Sequence, residues 1–370
     1  MRIPIVFATD ENYLFFTCVA ITSMAKSART DTFYQIYILI SSDFVDSSHL
    51  LDKLQQRYKN IHIKKVLVDE KIFRNVIIHN THVTKATFYR LVLCDLIEEE
   101  KCLYLDGDII VTEDIQNLYQ TDLGDNYLAG CRDIWIDLLS DKEREERRRR
   151  TGIPSMDQYV NAGVLLFNLK KMRSDGMNKT FMEYLGQDYL FEDQDILNVC
   201  CYNKIVRLPA KWNLFTLFMG QCVQMREAGI EEDTLKVYQE RSGIIHYATP
   251  MIRPWKRMSC WLDREWWEIA KEWDNESVFQ DIKKRVYECE QKNRWDYYLN
   301  LFSKYNRIVI FGYTKYSEQL CDWIRETGAE LKLAFCDNNV EKQGENYKGV
   351  QIFSFADIMK WDEGNSLACN

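Results

Sequence analysis

Asp106 and Asp108 stand one residue apart directly after the apolar run Cys102-Leu103-Tyr104-Leu105. Two carboxylates at a strand end offer hard oxygen ligands to a divalent cation, and such a cation usually also takes oxygens from a substrate diphosphate. Gly107 between them removes a side chain where phosphate and backbone would approach closely. Alone the pattern is weak, because acid-rich chains produce Asp-x-Asp by chance and Asp193-Gln194-Asp195 is a second instance. Its context after a strand gives it weight.

The elements that must position these residues alternate in type. Apolar runs at 3–8, 34–40 and 61–68 are separated by amphipathic stretches at 17–28 and 48–58, which argues for a parallel α/β sheet. The pattern continues with a helical stretch at 84–97 and strands at 102–105, 127–131 and 160–167. In open α/β sheets ligands collect beyond the carboxyl ends of the strands, so Thr9-Asp10, Asp106-Gly107-Asp108 and Asp133 are the first places to look. The charge run 141–150 reads as a solvated helix face with local ion pairs. Residues 255–305 are rich in Trp and Tyr and read as helices packed on the main domain. Near 304–307 the character changes to strand, helix, strand and the acidic Asp337, giving a division into a domain at 1–305 and a small α/β module at 306–370. That module tempts a dinucleotide reading, but it keeps only Gly312 of the G-x-G-x-x-G pattern, with Thr314 and Ser317 at the other glycine positions. It reads as a structural or interaction module.

The chain has 370 residues, 46% hydrophobic, with a formal charge of -8. That length allows a full core and about two domains. The acidic balance provides no field to collect phosphate backbones, so nucleic acid is not an expected partner, and an anionic ligand needs a local remedy such as a metal. The 12 Cys lack C-x-x-C spacing and read as reduced, buried thiols of a cytoplasmic protein. No apolar run reaches the roughly 20 residues that cross a bilayer. Trp255, Trp261, Trp266, Trp267 and Trp273 suit either peripheral contact with the inner face of a membrane or internal packing, and their nearly balanced charged neighbours favour packing.

Asp106-Gly107-Asp108 also suits a phosphatase of the haloacid dehalogenase type, but that motif belongs near the amino terminus and carries Thr or Val where this chain has Ile110. A different set of segments falls into one order: 7–13, 87–91, 104–108, 161–164, 192–198, and His246-Tyr247 to Pro254-Trp255. Together, over residues 3 to 270, they resemble glycosyltransferase family 8, which includes bacterial lipopolysaccharide galactosyl- and glucosyltransferases and, distantly, glycogenin. The resemblance implies a GT-A nucleotide-sugar transferase fold, a Rossmann-like mixed sheet flanked by helices. It implies a retaining, Mn(II)-dependent transfer of glucose or galactose from UDP-glucose or UDP-galactose to a glycan or glycolipid acceptor.

Position by position, the resemblance places uracil and ribose on Ala8, Thr9, Asp10, Asn12 and Tyr13, and the donor sugar and diphosphate on Arg90. It makes Asp106, Asp108 and His246 the metal ligands; a nitrogen ligand favours Mn(II), with Mg(II) the alternative. It sets Asn161, Ala162 and Gly163 in a loop against the donor sugar and Asp193 with Gln194 under its ring. Gln194, a poor nucleophile, would stabilise oxocarbenium charge through its carbonyl oxygen, and Asp193 would hold sugar hydroxyls. The chain departs from the family near the diphosphate, with Thr249 at a glycine position and Arg253 in place of a Lys, one residue late. A module that binds the nucleotide sugar without turnover would share the metal and nucleotide residues but would not need Asp193 and Gln194.

Overall fold

A computed structural model describes residues 1–80, 84–216, 242–250, 253–256, 262–293, 305, 307–326, 332–361 and 366–369. The chain divides into two compact units, Met1–Lys283 and Lys284–Asn370. The division falls inside the helix Ser277–Asn293, upstream of the 304–307 break expected from composition.

The first unit is built on strands β1 (Arg2–Ala8), β2 (Phe33–Ile40), β3 (Ile61–Leu67), β4 (Cys102–Leu105), β6 (Leu128–Arg132), β7 (Val160–Phe167) and β8 (Ile205–Arg207). They form one sheet in the order β3-β2-β1-β4-β7-β6-β8. β7 runs antiparallel to both β4 and β6, and the remaining pairs are parallel, so the sheet is mixed rather than wholly parallel. β1, β4 and β7 read as near-continuous apolar runs because both faces are covered, and every residue of β7 is buried. A second, smaller sheet joins β5 (Ile109–Val111), β9 (Leu214–Phe215) and β10 (Ile244–His246) in the order β5-β10-β9.

The helix Leu14–Ser27 follows β1 and is buried along most of its length. The expected helix at 84–97 is instead a 3-10 run, Lys85–Val92, followed by the short helix Leu93–Leu96. The charge run forms the helix Asp141–Thr151 with a Ser140–Glu143 capping box, but it is not solvated all round. Arg147 turns inward and its guanidinium lies 2.9 Å from Asp195 Oδ1.

Trp255, Trp266 and Trp273 are buried in the unit rather than presented to a surface, and Trp267 packs edge-on against Trp266. Trp273 donates its indole N–H to Thr22 Oγ1 at 3.1 Å and meets Phe15, while Trp255 stacks on Phe16. Trp261 lies outside the described residues. No helix among the described residues is long and apolar enough to cross a membrane.

The second unit carries a sheet of its own, with Arg307–Phe311 parallel to Lys332–Cys336 and to Ser366–Cys369. Gly312 has φ +80°, which permits the turn after its first strand. The Asp337 carboxylate, where a ribose-binding acid would stand, accepts the backbone N–H groups of Tyr313 at 2.7 Å and Asn339 at 2.8 Å. Both its oxygens thus hold the backbone of the turn.

Trp273 is 1% exposed and satisfies its one polar atom internally. Trp273→Ala should therefore destabilise the first unit by about 3–5 kcal/mol, read by equilibrium urea unfolding. A change under about 1 kcal/mol would show the 263–283 segment to be an accessory to the core.

Candidate functional site

The antiparallel direction of β7 assembles the site. β4 ends at Leu105 opposite Val164, and Asp106 donates its N–H to the Gly163 carbonyl at 2.8 Å. The beginning of β7 therefore lies beside the end of β4, and Asn161, Ala162 and Gly163 are strand residues rather than a loop. β6 also ends at this edge, where Asp133 N–H donates to Tyr159 O. His246, the last residue of β10, pairs with Ile109 across the smaller sheet, and Tyr247 N–H donates to Asp108 O at 2.9 Å. The helix Glu192–Cys200 is fastened to the start of β7 by Asn198, whose amide accepts from Val160 N and donates to Val160 O, each at 2.8 Å.

Asp106, Asp108 and His246 bring one ligand atom each within 4.8 Å of one another. His246 Nε2 lies 3.2 Å from Asp108 Oδ1 and 3.8 Å from Asp106 Oδ2. The other oxygen of each carboxylate faces a guanidinium. Arg90 reaches Asp106 Oδ1 at 2.8 Å, and Arg253 reaches Asp108 Oδ2 at 2.7 Å, an oxygen that also accepts from the Tyr13 hydroxyl at 3.0 Å. One oxygen per carboxylate and one imidazole nitrogen thus converge, a mixed oxygen and nitrogen set that could hold a divalent cation. Burial pushes the Asp108 carboxyl up, but the Arg253 guanidinium opposes it, and the carboxyl is held below the usual range.

The two glycines serve the protein itself. A methyl group on Gly163 would collide with the His246 ring and come within 2.8 Å of Asp106 Oδ2, so its missing side chain makes room for these two side chains. Gly107 likewise leaves room for Thr17 of the helix Leu14–Ser27.

Across β7, Arg90 donates Nε–H to the Thr87 carbonyl and faces Asp193 Oδ2 at 3.0 Å as a charge. It also donates to Ala162 O. Burial drives the Asp193 carboxyl up to about 7, with Arg90 opposing and Asp106 and Glu192 reinforcing the rise. Gln194 lies beside Asp193, but its carbonyl oxygen accepts from Asn161 Nδ2 at 2.9 Å and Ala162 N at 3.0 Å. Its amide nitrogen donates to Asp133 Oδ2 at 2.8 Å. The oxygen expected to face developing charge is therefore already shared between two donors.

The remaining expected residues lie as follows. Ala8 ends β1, and Thr9 is buried, accepting from Thr17 Oγ1 at 3.2 Å. Asp10 accepts the Tyr13 N–H, Asn12 is exposed, and Thr249 donates to Thr216 O at 3.3 Å. The sequence left Asn213 and Tyr159 unmarked, and gave Asp133 and Asn198, the latter inside the 192–198 motif, no role. Asp133 had a signal, its position at a strand end; the others show their partners only in the fold.

With this geometry, residues 4–259 match the family model for glycosyl transferase family 8. The match covers most of the chain, and the chain belongs to that family. Its fold is GT-A. The lipopolysaccharide 1,2-glucosyltransferase of Escherichia coli K12 is 24% identical over 307 residues, covering 80% of this chain and 85% of that protein. Glycosyltransferase GlyE of Streptococcus pneumoniae is 29% identical over 224 residues, covering 57% of this chain and 50% of that protein. A structure of galactosyltransferase LgtC in complex with donor and acceptor sugar analogues is similar at TM-score 0.60 and 26% identity, covering 73% of this chain and 96% of that one. Across four curated relatives, the chain spans from 33% to 74% of their length.

Because the folded pKa of Asp193 is raised, the native state keeps this proton to higher pH than the unfolded chain, and its ionisation lowers stability from about pH 4 to above 7. Asp193→Asn removes that slope. Stability of the variant relative to wild type should rise by on the order of 2–3 kcal/mol between pH 5 and pH 8, read by urea unfolding at both. A flat difference would mean that Asp193 titrates as an ordinary carboxylate.

Proposed function

We propose that this chain is a retaining hexosyltransferase that moves glucose or galactose from a UDP-sugar to a hydroxyl of a glycan or glycolipid, with Mn(II) as its cation. The observation that carries this reading is the convergence of Asp106, Asp108 and His246 beside Asp193 and Gln194 at one edge of a GT-A sheet. A phosphatase reading has no use for the imidazole or for that second pair. The relatives fit the proposal: one is a lipopolysaccharide 1,2-glucosyltransferase, and LgtC is a galactosyltransferase solved with donor and acceptor sugar analogues. LgtC has also been solved as an active-site glutamine-to-glutamate mutant, and Gln194 is this chain's candidate for such a residue.

In this scheme Ala8, Thr9, Asp10, Asn12 and Tyr13 hold uracil and ribose, and Arg90 and Arg253 meet the diphosphate and sugar. A divalent cation held by Asp106, Asp108 and His246 supplies charge neutralisation for the departing diphosphate. The acceptor oxygen bonds to the anomeric carbon as the bond from that carbon to UDP breaks. The acceptor proton passes to a phosphate oxygen of UDP on the same face. The Gln194 amide, fixed by the Ala162 and Asn161 N–H groups, is a preorganised dipole rather than a nucleophile. The enzyme would act in the cytoplasm.

UDP release from a panel of nucleotide sugars, with and without Mn(II), tests the activity. Asp106→Asn and Asp108→Asn should each abolish most turnover with the fold intact, and full turnover in EDTA would refute the metal role. Gln194→Ala should lower kcat roughly ten- to a thousandfold with a smaller change in donor KM. A β-linked product, or a glycosyl adduct trapped on Asp193, would overturn the mechanism.

A further inference from the structure

A histidine that ligates a metal through one ring nitrogen must carry its proton on the other, and something must hold it so. His246 Nδ1 lies 2.8 Å from the side-chain oxygen of Asn213. Which end of that amide faces the ring decides which ring nitrogen is bare, and here the fold settles it. The Gly163 backbone N–H donates to Asn161 Oδ1 at 2.9 Å, and a backbone N–H has no other role, so that atom is an acceptor. Its second neighbour, Asn213, must therefore donate, which it does through Nδ2 at 2.9 Å. Asn213 is then left with its oxygen toward His246. The next amide agrees independently: Ala162 N–H fixes Gln194 Oε1 as an acceptor, and Asn161 meets it with Nδ2. Two successive backbone N–H groups of β7 thus set the polarity of a buried amide chain running from Gln194 through Asn161 and Asn213 to His246.

We infer that Asn213 is a positioning residue, which holds His246 as the Nδ1–H tautomer with Nε2 bare toward Asp106 and Asp108 and, through Asn161, ties the metal ligand to Gln194. The inference rests on the metal role proposed above for His246. The local fold serves it well. Asn213 is buried, ends the 3-10 turn Ala210–Asn213, and directly precedes β9, whose Phe215 pairs with His246 and packs against its ring. An amide is suited to the place because it accepts from the imidazole and donates to Asn161 at once. A carboxylate supplies only the first interaction and an aliphatic side chain neither.

The test begins without metal. The chain has five His, and the His246 signals are assigned by difference with His246→Gln. At pH 8.5, long-range proton–nitrogen correlation of nitrogen-15 histidine should show a proton on His246 Nδ1 in the wild type and in Asn213→Asp, and a shift toward Nε2–H in Asn213→Leu. Mn(II) binding in the presence of UDP, followed by electron paramagnetic resonance, should weaken roughly 10- to 100-fold in Asn213→Leu. It should stay within about threefold of wild type in Asn213→Asp, whose kcat should nonetheless fall because an oxygen now faces Asn161 Oδ1. An Nε2–H pattern in the wild type, Mn(II) binding by Asn213→Leu equal to wild type, or equal losses in both variants would each overturn the inference. If Asn213→Leu does not fold, the wild-type tautomer and the Asn213→Asp binding still decide. Absence of Mn(II) binding by the wild type, with the Nδ1–H pattern present, would instead sink the metal reading and leave the tautomer assignment standing.

Discussion

The organising constraint is the burial of negative charge at one edge of the sheet. Asp108, Asp133, Asp193 and Asp195 are buried there and Asp106 is half-buried beside them. Uncompensated carboxylates in a low-dielectric setting would neutralise or disrupt the edge. Compensation comes from three arginines drawn from distant parts of the chain. Arg90 serves Asp106 and Asp193, Arg253 serves Asp108, and Arg147 serves Asp195. Asp133 has no cation within salt-bridge distance among the described residues; it accepts from the Gln194 amide and the Trp135 N–H, and burial raises its pKa. The graded outcome, with Asp108 held low and Asp193 lifted to about 7, follows from how fully each acid is matched.

This arrangement explains the unusual strand. A sheet of parallel strands alone would place the carboxyl ends of β1 and β4 at the edge but would send the start of β7 to the far side. Its reversal puts the beginning of β7 beside Asp106, where the backbone N–H groups of Ala162 and Gly163 orient Gln194 and Asn161. Reversal also lets Asn198 fasten the following acidic helix to Val160. The same strand thus serves as scaffold for both halves of the site.

Much of this was legible in the sequence. The strands 102–105 and 160–167 fall where the apolar runs put them, and the Asp106, Asp108 and His246 constellation follows from the ordered motifs. Illegible features depend on pairings between distant residues. The inward turn of Arg147 cannot be read from a run in which acids and bases alternate at ion-pairing spacing, because its partner Asp195 is 48 positions away. Nor does composition show that Gly163 makes space for an imidazole that arrives from β10. Trp255, Trp266 and Trp273 suit a lipid interface or a core equally by residue type, and only the packing against Phe15, Phe16 and Thr22 separates the two.

The division of each carboxylate between a guanidinium and the cation side has a consequence for rigidity. A free carboxylate rotates and can engage a cation through either oxygen or both, with entropy lost on binding. Asp106 Oδ1 is pinned by Arg90 and Asp108 Oδ2 by Arg253 and Tyr13, so Oδ2 of Asp106 and Oδ1 of Asp108 already face the imidazole. Arg90 is itself fixed by the Thr87 and Ala162 carbonyls, and Arg253 by the Tyr247 carbonyl at 3.1 Å. Tyr247 in turn closes the circuit by donating its backbone N–H to Asp108 O. The cations that make burial of the acids tolerable are therefore the same groups that aim them, and charge compensation and preorganisation are one structural solution.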